Sequence, residues 1–476
     1  MIWSIAGRNI WRKKIRSSVV IAAVAIGILA GSFAVAIMNG MAKSRTETLI
    51  KNESAHIQIH HPEFSANRDP EFVIKNKSLA KELESMNAVV GYTERLKIDG
   101  MATSNSGANT MAMVNGINPE QEKRVSEIYK HLNDTSGNYL ESDFRNPIVI
   151  GEEFAKTLKF NRYKITQKTF DYLKSKNVPE NIISEIKSLE GSRFRRLQPF
   201  LDSLSNRIGK KKLEKHEYVL KKSALYFKSN GKVIITLIDN TGQQTQAVFR
   251  VCGIFKTNNT LFDGRNVFVK NKDLQRISGY NAEFPHETAI LLNDRSKVKK
   301  ISQRLSKKYP ELAVTSWKES NPEVAMLSEY IDIYNYIIVG LILGALAFGI
   351  VNTMLMAIME RTKELGMLAA IGMNKKRRFN MIMTETIWLT LSGAIIGMFL
   401  NLLIMTILGD TGINLSKEIG EGTGAMGHSA VLYPVMYVKN YIGITVMVIL
   451  TAVLSSIYPA VKALRLNPAN ALRSDA

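Results

Sequence analysis

The chain alternates between long apolar stretches without charge and long polar stretches rich in it. Four apolar stretches stand out, Ser17–Met38, Ile337–Ile358, Thr386–Leu408 and Tyr441–Val461, and none contains Asp, Glu, Lys or Arg. At about 1.5 Å per helical residue, each is long enough to cross a hydrocarbon core roughly 30 Å thick. The pattern predicts spans over 17–39, 331–359, 381–408 and 441–461. In the long polar stretch from 40 to 330 the periodicity changes to two. Ala55–His61, Met111–Asn115, Pro147–Ile150, Lys232–Asp239 and Ala247–Phe255 read as strands, the last two flanking an Asn240-Thr-Gly242 turn. Glu152–Leu158, Lys272–Ile277 and Arg295–Lys308 read as helices, the last followed by a strand at Ala313–Trp317. From 161 to 228 strand signals vanish, and Phe170, Leu173, Val178, Ile182, Ile183, Ile186 and Leu189 recur at helical spacing. The expected fold is an α-helical membrane protein with four transmembrane helices and a large α+β extracytoplasmic domain carrying a helical insertion.

Composition alters this picture little, because a mean hydropathy of −0.05 only averages spans with a polar domain. Charge adds orientation. Arg8, Arg12, Lys13, Lys14 and Arg16 precede the first span, Arg361, Lys363, Lys375, Lys376, Arg377 and Arg378 lie between the second and third, and Lys462, Arg465 and Arg473 follow the last. By the positive-inside rule these segments are cytoplasmic, which puts both termini (1–16 and 462–476) and the 360–380 loop inside, and 40–330 and 409–440 outside. A first apolar core of roughly 22 residues exceeds the 7–15 of a signal peptide and reads as an uncleaved anchor in a cell or inner membrane. Ile2–Trp11 has the Trp, Ile and Arg mixture of an interfacial helix. The single cysteine, Cys252, rules out an internal disulfide.

The formal charge of +21 is concentrated in the insertion, where Arg162 to Lys228 holds 17 Lys and Arg against 7 Asp and Glu. Arg193, Arg195, Arg196, Lys210, Lys211 and Lys212 are the candidate contacts to an anionic membrane surface. The plainer reading is a solvated helical face. Nucleic acid is not an expected partner, since the domain lies outside and has no reader motif. His56 and His60 share a strand face but sit roughly 13 Å apart, too far for one metal, and no catalytic, metal-binding or cofactor-binding site is expected. Asn352 and Asn401 are polar positions within spans, Gly340, Gly344 and Gly349 permit close helix contact, and Pro459 is expected to bend or end the last span.

The most specific segment is Glu360-Arg-Thr-Lys-Glu-Leu-Gly-Met-Leu-Ala-Ala-Ile-Gly372, a short charged helix between two spans. Leu365, Leu368, Ala369 and Ile371 form an apolar strip, Glu360, Arg361 and Glu364 supply charge, Gly366 permits close approach and Gly372 suits a helix C-cap. Topology alone requires Lys and Arg, not two glutamates and bounding glycines. Glu385 follows at the mouth of the next span, positioned to pair with a neighbour.

This segment, with the basic patch and Glu385 after it, closely resembles the cytoplasmic loop of the FtsX-like ABC permeases. Asn9–Lys14, Met38-Asn-Gly40, Gly137–Leu140, Val149–Glu153 and Tyr458–Arg473 extend the similarity over nearly the whole chain except 161–228. The resemblance implies a mechanotransmission permease. Two such subunits, identical or different, would sit on a cytoplasmic ABC ATPase dimer, and the loop helix would carry nucleotide-driven motion outward. No Gly-x-x-x-x-Gly-Lys-Ser/Thr loop occurs in the sequence, so ATP and Mg are expected on a separate ATPase and the chain is not expected to be an enzyme itself. Met38-Asn-Gly40, His56–His61 and Ser316–Pro322 look most like the lipoprotein-releasing LolC/LolE branch, which implies delivery of lipidated proteins to a soluble carrier. A MacB-like exporter working with a periplasmic adaptor, and an FtsX-like regulator of a cell-wall hydrolase, are the alternatives.

Overall fold

The computed structural model describes residues 14–76, 78–132, 138–141, 144–228, 230–257, 259–414 and 431–464. The proposed interfacial helix before residue 14 and the tail from 465 lie outside them. The chain divides into a helical unit, built from the N-terminal stretch through Thr46 and most of the chain after Glu323, and an α/β unit, Glu47–Pro322.

The helical unit contains α1 (Lys14–Thr48), α2 (Pro322–Glu360), α3 (Thr362–Ala370), α4 (Lys375–Thr411) and α5 (Val438–Leu464). All but α3 are long and apolar enough to cross a membrane. They outrun the predicted spans because polar turns continue the same helices beyond the uncharged cores. Without a hydrophobic drive between helices in lipid, close approach depends on small residues. Gly393 and Gly397 of α4 supply it: a Cβ on either would meet the backbone carbonyl of α1 at Ile21 (2.8 Å) or Ala25 (2.6 Å). Gly344 and Gly349, expected to permit the close helix contact that suits dimerisation of two permeases, have nothing of their own chain's described residues within 4 Å of a Cβ. Pro459 does not end α5, which runs five residues beyond it.

The α/β unit is built on nine strands in the order β12-β1-β11-β2-β3-β10-β4-β9-β8. They are β1 (Ile57–His60), β2 (Val89–Ser104), β3 (Asn109–Ile117), β4 (Pro147–Gly151), β8 (Lys232–Ile238), β9 (Gln244–Phe255), β10 (Asn266–Lys270), β11 (Glu287–Leu292) and β12 (Ala313–Ser316). The 16-residue β2 belongs to two layers. Its first half pairs with β11, while its second half pairs with β3 on one edge and β8 on the other, Gly100↔Leu237 through Ser104↔Val233. The strands β2-β3-β10-β4-β9-β8 therefore close on themselves and leave no free edge. Inside sit Leu96, Ile98, Val114, Ile148, Ile150, Ile235, Phe249, Val251 and Val267, all buried. The β8–β9 turn forms as the sequence predicts: Asp239 accepts from the Thr241 and Gln243 amides at 2.9 and 3.0 Å, and Gly242 takes φ +79.

The first half of β2 carries a buried ion network. Arg95 donates through Nε and Nη2 to Glu122 (3.0 and 2.6 Å) and through Nη1 to Glu287 of β11 (2.8 Å). Lys97 and His60 of β1 converge on the same Glu287 carboxylate. Arg95, Glu122 and Glu287 are all buried, so their opposite charges hold this layer together only because each is paired.

The insertion corrects one expectation. It is not purely helical: β5 (Asn161–Lys164) pairs antiparallel with β6 (Arg193–Phe194) on one side and β7 (Leu225–Phe227) on the other. Four helices, Gln167–Ser175, Glu180–Lys187, Leu197–Ile208 and Lys210–Ala224, surround a separate core of Tyr163, Phe170, Leu173, Ile182, Ile186, Phe200 and Leu204. Strands of two to four residues offer too little alternation to read.

Candidate coupling site

Helix α3 is set apart from α2 by Arg361, whose φ/ψ of −105/18 breaks the long helix. Leu, Met, Ala, Lys and Glu then favour a new turn of helix. It ends in a Schellman cap: the Gly372 amide donates to Ala369 O (3.1 Å), the Met373 amide to Leu368 O (3.0 Å), and Gly372 adopts φ +89. Two residues on, Asn374 N-caps α4 by accepting from the Lys376 amide at 3.1 Å. The chain thus reverses from α3 into α4 within Ile371–Asn374, and each boundary residue is of the type its geometry needs.

Arg361 holds this corner. Its Nε donates to Glu364 at 2.8 Å, and its Nη1 reaches both oxygens of Glu385 on α4, at 3.1 and 3.0 Å. One guanidinium therefore ties the first turn of α3 to the next span. Glu385 is 12% exposed and Arg361 19%, so the pair is partly shielded and outweighs an ordinary surface ion pair. Beneath it Leu365 is buried with Met354, Ile358, Met381 and Ile382.

The sequence-predicted residues fall on both sides of α3. Leu365 and Gly366 face inward and Leu368 packs partly against the same cluster. The expected outward strip is corrected accordingly, since Leu365 is spent on the chain's own spans. Arg361, Glu364 and Ala369 are half-buried, and Glu360 and Gly372 are exposed. The outward apolar face is instead made by Met367, Ala370 and Ile371, with Lys363 one turn before. Met367 is 51% exposed and Ile371 78%. Of the basic patch, Lys375, Lys376 and Arg377 are exposed and Arg378 is buried.

At the other end of the same unit lies a cluster that sequence reasoning did not assemble. Asn39 of α1 donates to Asn440 of α5 at 3.0 Å and accepts from Asn335 of α2 at 2.9 Å, all three buried. Asn401, singled out within its span, accepts from the Tyr441 hydroxyl at 3.2 Å, whereas Asn352 is exposed. Asparagine pairs of this kind fix helix register in lipid.

The candidate anionic-surface residues of the insertion are exposed but not brought together. Arg193, Arg195 and Arg196 precede the helix Leu197–Ile208, whereas Lys210, Lys211 and Lys212 follow it. Twelve helical residues separate the groups by about 18 Å. Lys212 also pairs with Glu185 at 3.1 Å. The described residues contain no group of three or more His, Cys, Asp or Glu able to hold a metal.

Two family models match the chain, the FtsX-like permease C-terminal domain over residues 336–468 and the MacB-like periplasmic core domain over 17–169. The first thus covers the corner built by Arg361 and Glu385. Among curated relatives, an uncharacterised ABC transporter permease of Methanocaldococcus jannaschii is 24% identical over 233 residues, 48% of this chain and 55% of its own. The ABC transporter permease YtrF of Bacillus subtilis is 32% identical, over 27% of this chain and 29% of its own. The macrolide export ATP-binding/permease protein MacB of Chlorobium luteolum is 30% identical, over 28% of this chain and 18% of its own. The chain spans about half the length of the first of these relatives and less of the others. The periplasmic region of MacB from Actinobacillus actinomycetemcomitans is a similar solved structure, with TM-score 0.30, 10% identity, and coverage of 60% of this chain and 95% of that one. The extracellular domain of the ABC-type transporter YknZ gives TM-score 0.28, 13% identity, and coverage of 55% and 99%. Both scores are too low to bear on the fold.

Proposed function

We propose that the chain, which matches the FtsX-like permease C-terminal model over 336–468 and the MacB-like periplasmic core model over 17–169, is the permease subunit of a mechanotransmission-type ABC transporter. It works as one of two permease subunits on a separate cytoplasmic ATPase dimer, which binds ATP and Mg. α3 seats on that ATPase and passes its motion into the spans, and the α/β unit performs the work outside the membrane. Both termini and α3 are cytoplasmic in this reading, as the basic segments require.

One observation carries it: Arg361 straps α3 to α4 through Glu385 while Met367 and Ile371 stay outward. A helix that only fixed topology would need neither a guanidinium–carboxylate pair across 24 residues nor two large apolar side chains exposed on its outward face. A push on the outward face is delivered to α4 through a charged strap and a packed Leu365, not through a flexible loop.

For the work outside, export of a peptide or small molecule through a periplasmic adaptor is favoured over lipoprotein release. The relatives include proteins named for macrolide and pyoverdine export. The test is reconstitution of the chain with its ATPase. Met367→Asp/Ile371→Asp should abolish permease-dependent stimulation of ATP hydrolysis while amide protection of α3 is kept; stimulation at the wild-type level sinks the coupling role. Proteins copurifying with the complex decide the work: an adaptor supports export, a soluble lipoprotein carrier restores release, and a peptidoglycan hydrolase points to regulation.

A further inference from the structure

The outer face of the closed β-layer carries a cleft of about 580 Å³ lined by Arg145, Asn146, Lys232, Val248, Arg250 and Arg276. That volume lies within the range of small-ligand sites. Its charge is one-sided among the described residues: four cations line it, and the carboxylate paired with them is that of Asp273, 3.3 Å from Arg276.

The fold holds these cations together against their repulsion. Lys232 and Arg250 are direct cross-strand partners of β8 and β9, an arrangement that is destabilising for like charges. Asn146, just before β4, adopts the left-handed φ of +55. From there its side-chain Nδ2 donates to Val248 O at 3.1 Å, its side-chain oxygen accepts from Arg276, and its backbone carbonyl accepts from the Arg250 backbone amide at 3.0 Å. One strained residue thus ties together the backbone of β9 and the guanidinium of Arg276. The Arg250 guanidinium lies over the Phe144 ring, 5.7 Å from its centre. A surface that merely needed solubility would not set two cations opposite each other in a concavity with two more at its wall.

We propose that this cleft is an anion-binding site for a phosphate-bearing ligand. Three guanidinium forks match the oxygens of a phosphate in the bidentate manner that a lysine cluster lacks. The volume leaves room for the organic group attached to it. The phosphate comes from either a soluble ester or the headgroup of an anionic lipid. The assignment does not depend on the transport reading.

The full chain is placed in zwitterionic phosphatidylcholine nanodiscs and titrated with sodium pyrophosphate at constant ionic strength, followed by calorimetry. In parallel, hydrogen exchange at 145–147 and 248–250 is compared between phosphatidylcholine and phosphatidylglycerol nanodiscs. Saturable pyrophosphate binding that weakens at least tenfold in Arg145→Gln/Arg250→Gln supports a soluble source. Slower exchange only in phosphatidylglycerol, absent from that variant, supports the headgroup source. No saturable response in either arm overturns the site, as does an equal response in wild type and variant. An equal loss in the control Arg195→Gln/Arg196→Gln, on the insertion, also overturns it, because the attraction would then be non-specific. Lys232→Gln alone provides a second variant, and without anion it should melt at or above the wild-type temperature because a like-charge pair is relieved.

Discussion

Replacing Arg361 with methionine keeps most of its apolar stem and deletes three charge-assisted hydrogen bonds, of 2.8, 3.0 and 3.1 Å, between α3, Glu364 and Glu385. Exposed ion pairs contribute at most about 1 kcal/mol, and breaking a buried one costs about 3–5. With Arg361 and Glu385 partly shielded, the loss falls between these, at about 2 kcal/mol. That corresponds to roughly a thirtyfold rise in the fraction of time α3 is released from α4. Amide exchange across residues 362–372, measured on the full chain in nanodiscs, should accelerate by about that factor. Exchange at the far end of α5, around Asn440 in the asparagine cluster, should not change. Arg361→Lys should fall between wild type and methionine, because a single ammonium cannot span both carboxylates. A double-mutant cycle with Glu385→Gln isolates the strap, with an expected coupling of about 1–2 kcal/mol. Exchange within threefold of wild type in Arg361→Met would refute the claim that this guanidinium holds the corner.

Other outcomes follow from the same structure. Arg95→Ala should destabilise the α/β unit by about 3–5 kcal/mol, read as a shift in urea midpoint, because Glu122 and Glu287 lose their buried cation; a shift under about 1 kcal/mol would contradict it. His286 accepts the Lys97 amide on Nδ1 at 2.9 Å and donates from Nε2 to Pro70 O at 2.8 Å, so it is held neutral, and burial pushes its pKa down to about 4. A depressed histidine pKa means that the unfolded chain binds the proton first. Stability should then fall as pH drops from 6.5 towards 4, by about 1.4 kcal/mol per pH unit at most and about 3 in total. His286→Gln should flatten that part of the acid limb, and parallel pH curves would exclude the assignment. Gly397→Leu should force α4 off α1 at Ala25 and cost about 1–3 kcal/mol in detergent unfolding, while Gly344→Leu, with open space around it, should leave the monomer unchanged.

What the sequence revealed depended on how local each signal was. Four uncharged stretches and the Glu360–Gly372 segment were readable because their cues lie within one or two turns of helix. Even the partnership of Glu385 was foreshadowed by its place at the mouth of a span, although its partner, 24 residues earlier, was not. The long β2 is not legible for a physical reason: Arg95 occupies a buried position where alternation predicts an apolar residue, and its neutralising carboxylates come from Glu122 and Glu287, far along the chain. The inward turn of Leu365 was hidden because an amphipathic helix of nine residues has two candidate faces, and only the neighbouring spans decide which one is covered. The basic cleft escaped detection because its residues come from four separated segments, each with a single cation or two that reads as ordinary surface.

The strands that lead into and out of the basic insertion lie side by side, Asn161 opposite Phe227 and Tyr163 opposite Leu225. Its entrance and exit are therefore one doorway in the host fold, and its hydrophobic interior is a core of its own that meets the core of the closed sheet at Leu225. A gene that gained or lost these residues would change what the protein presents to its surroundings without renegotiating the packing of the sheet behind it. The insertion is accordingly a module with its own core and a single attachment, so a change in its lysine-rich surface need not pass through the sheet that carries it.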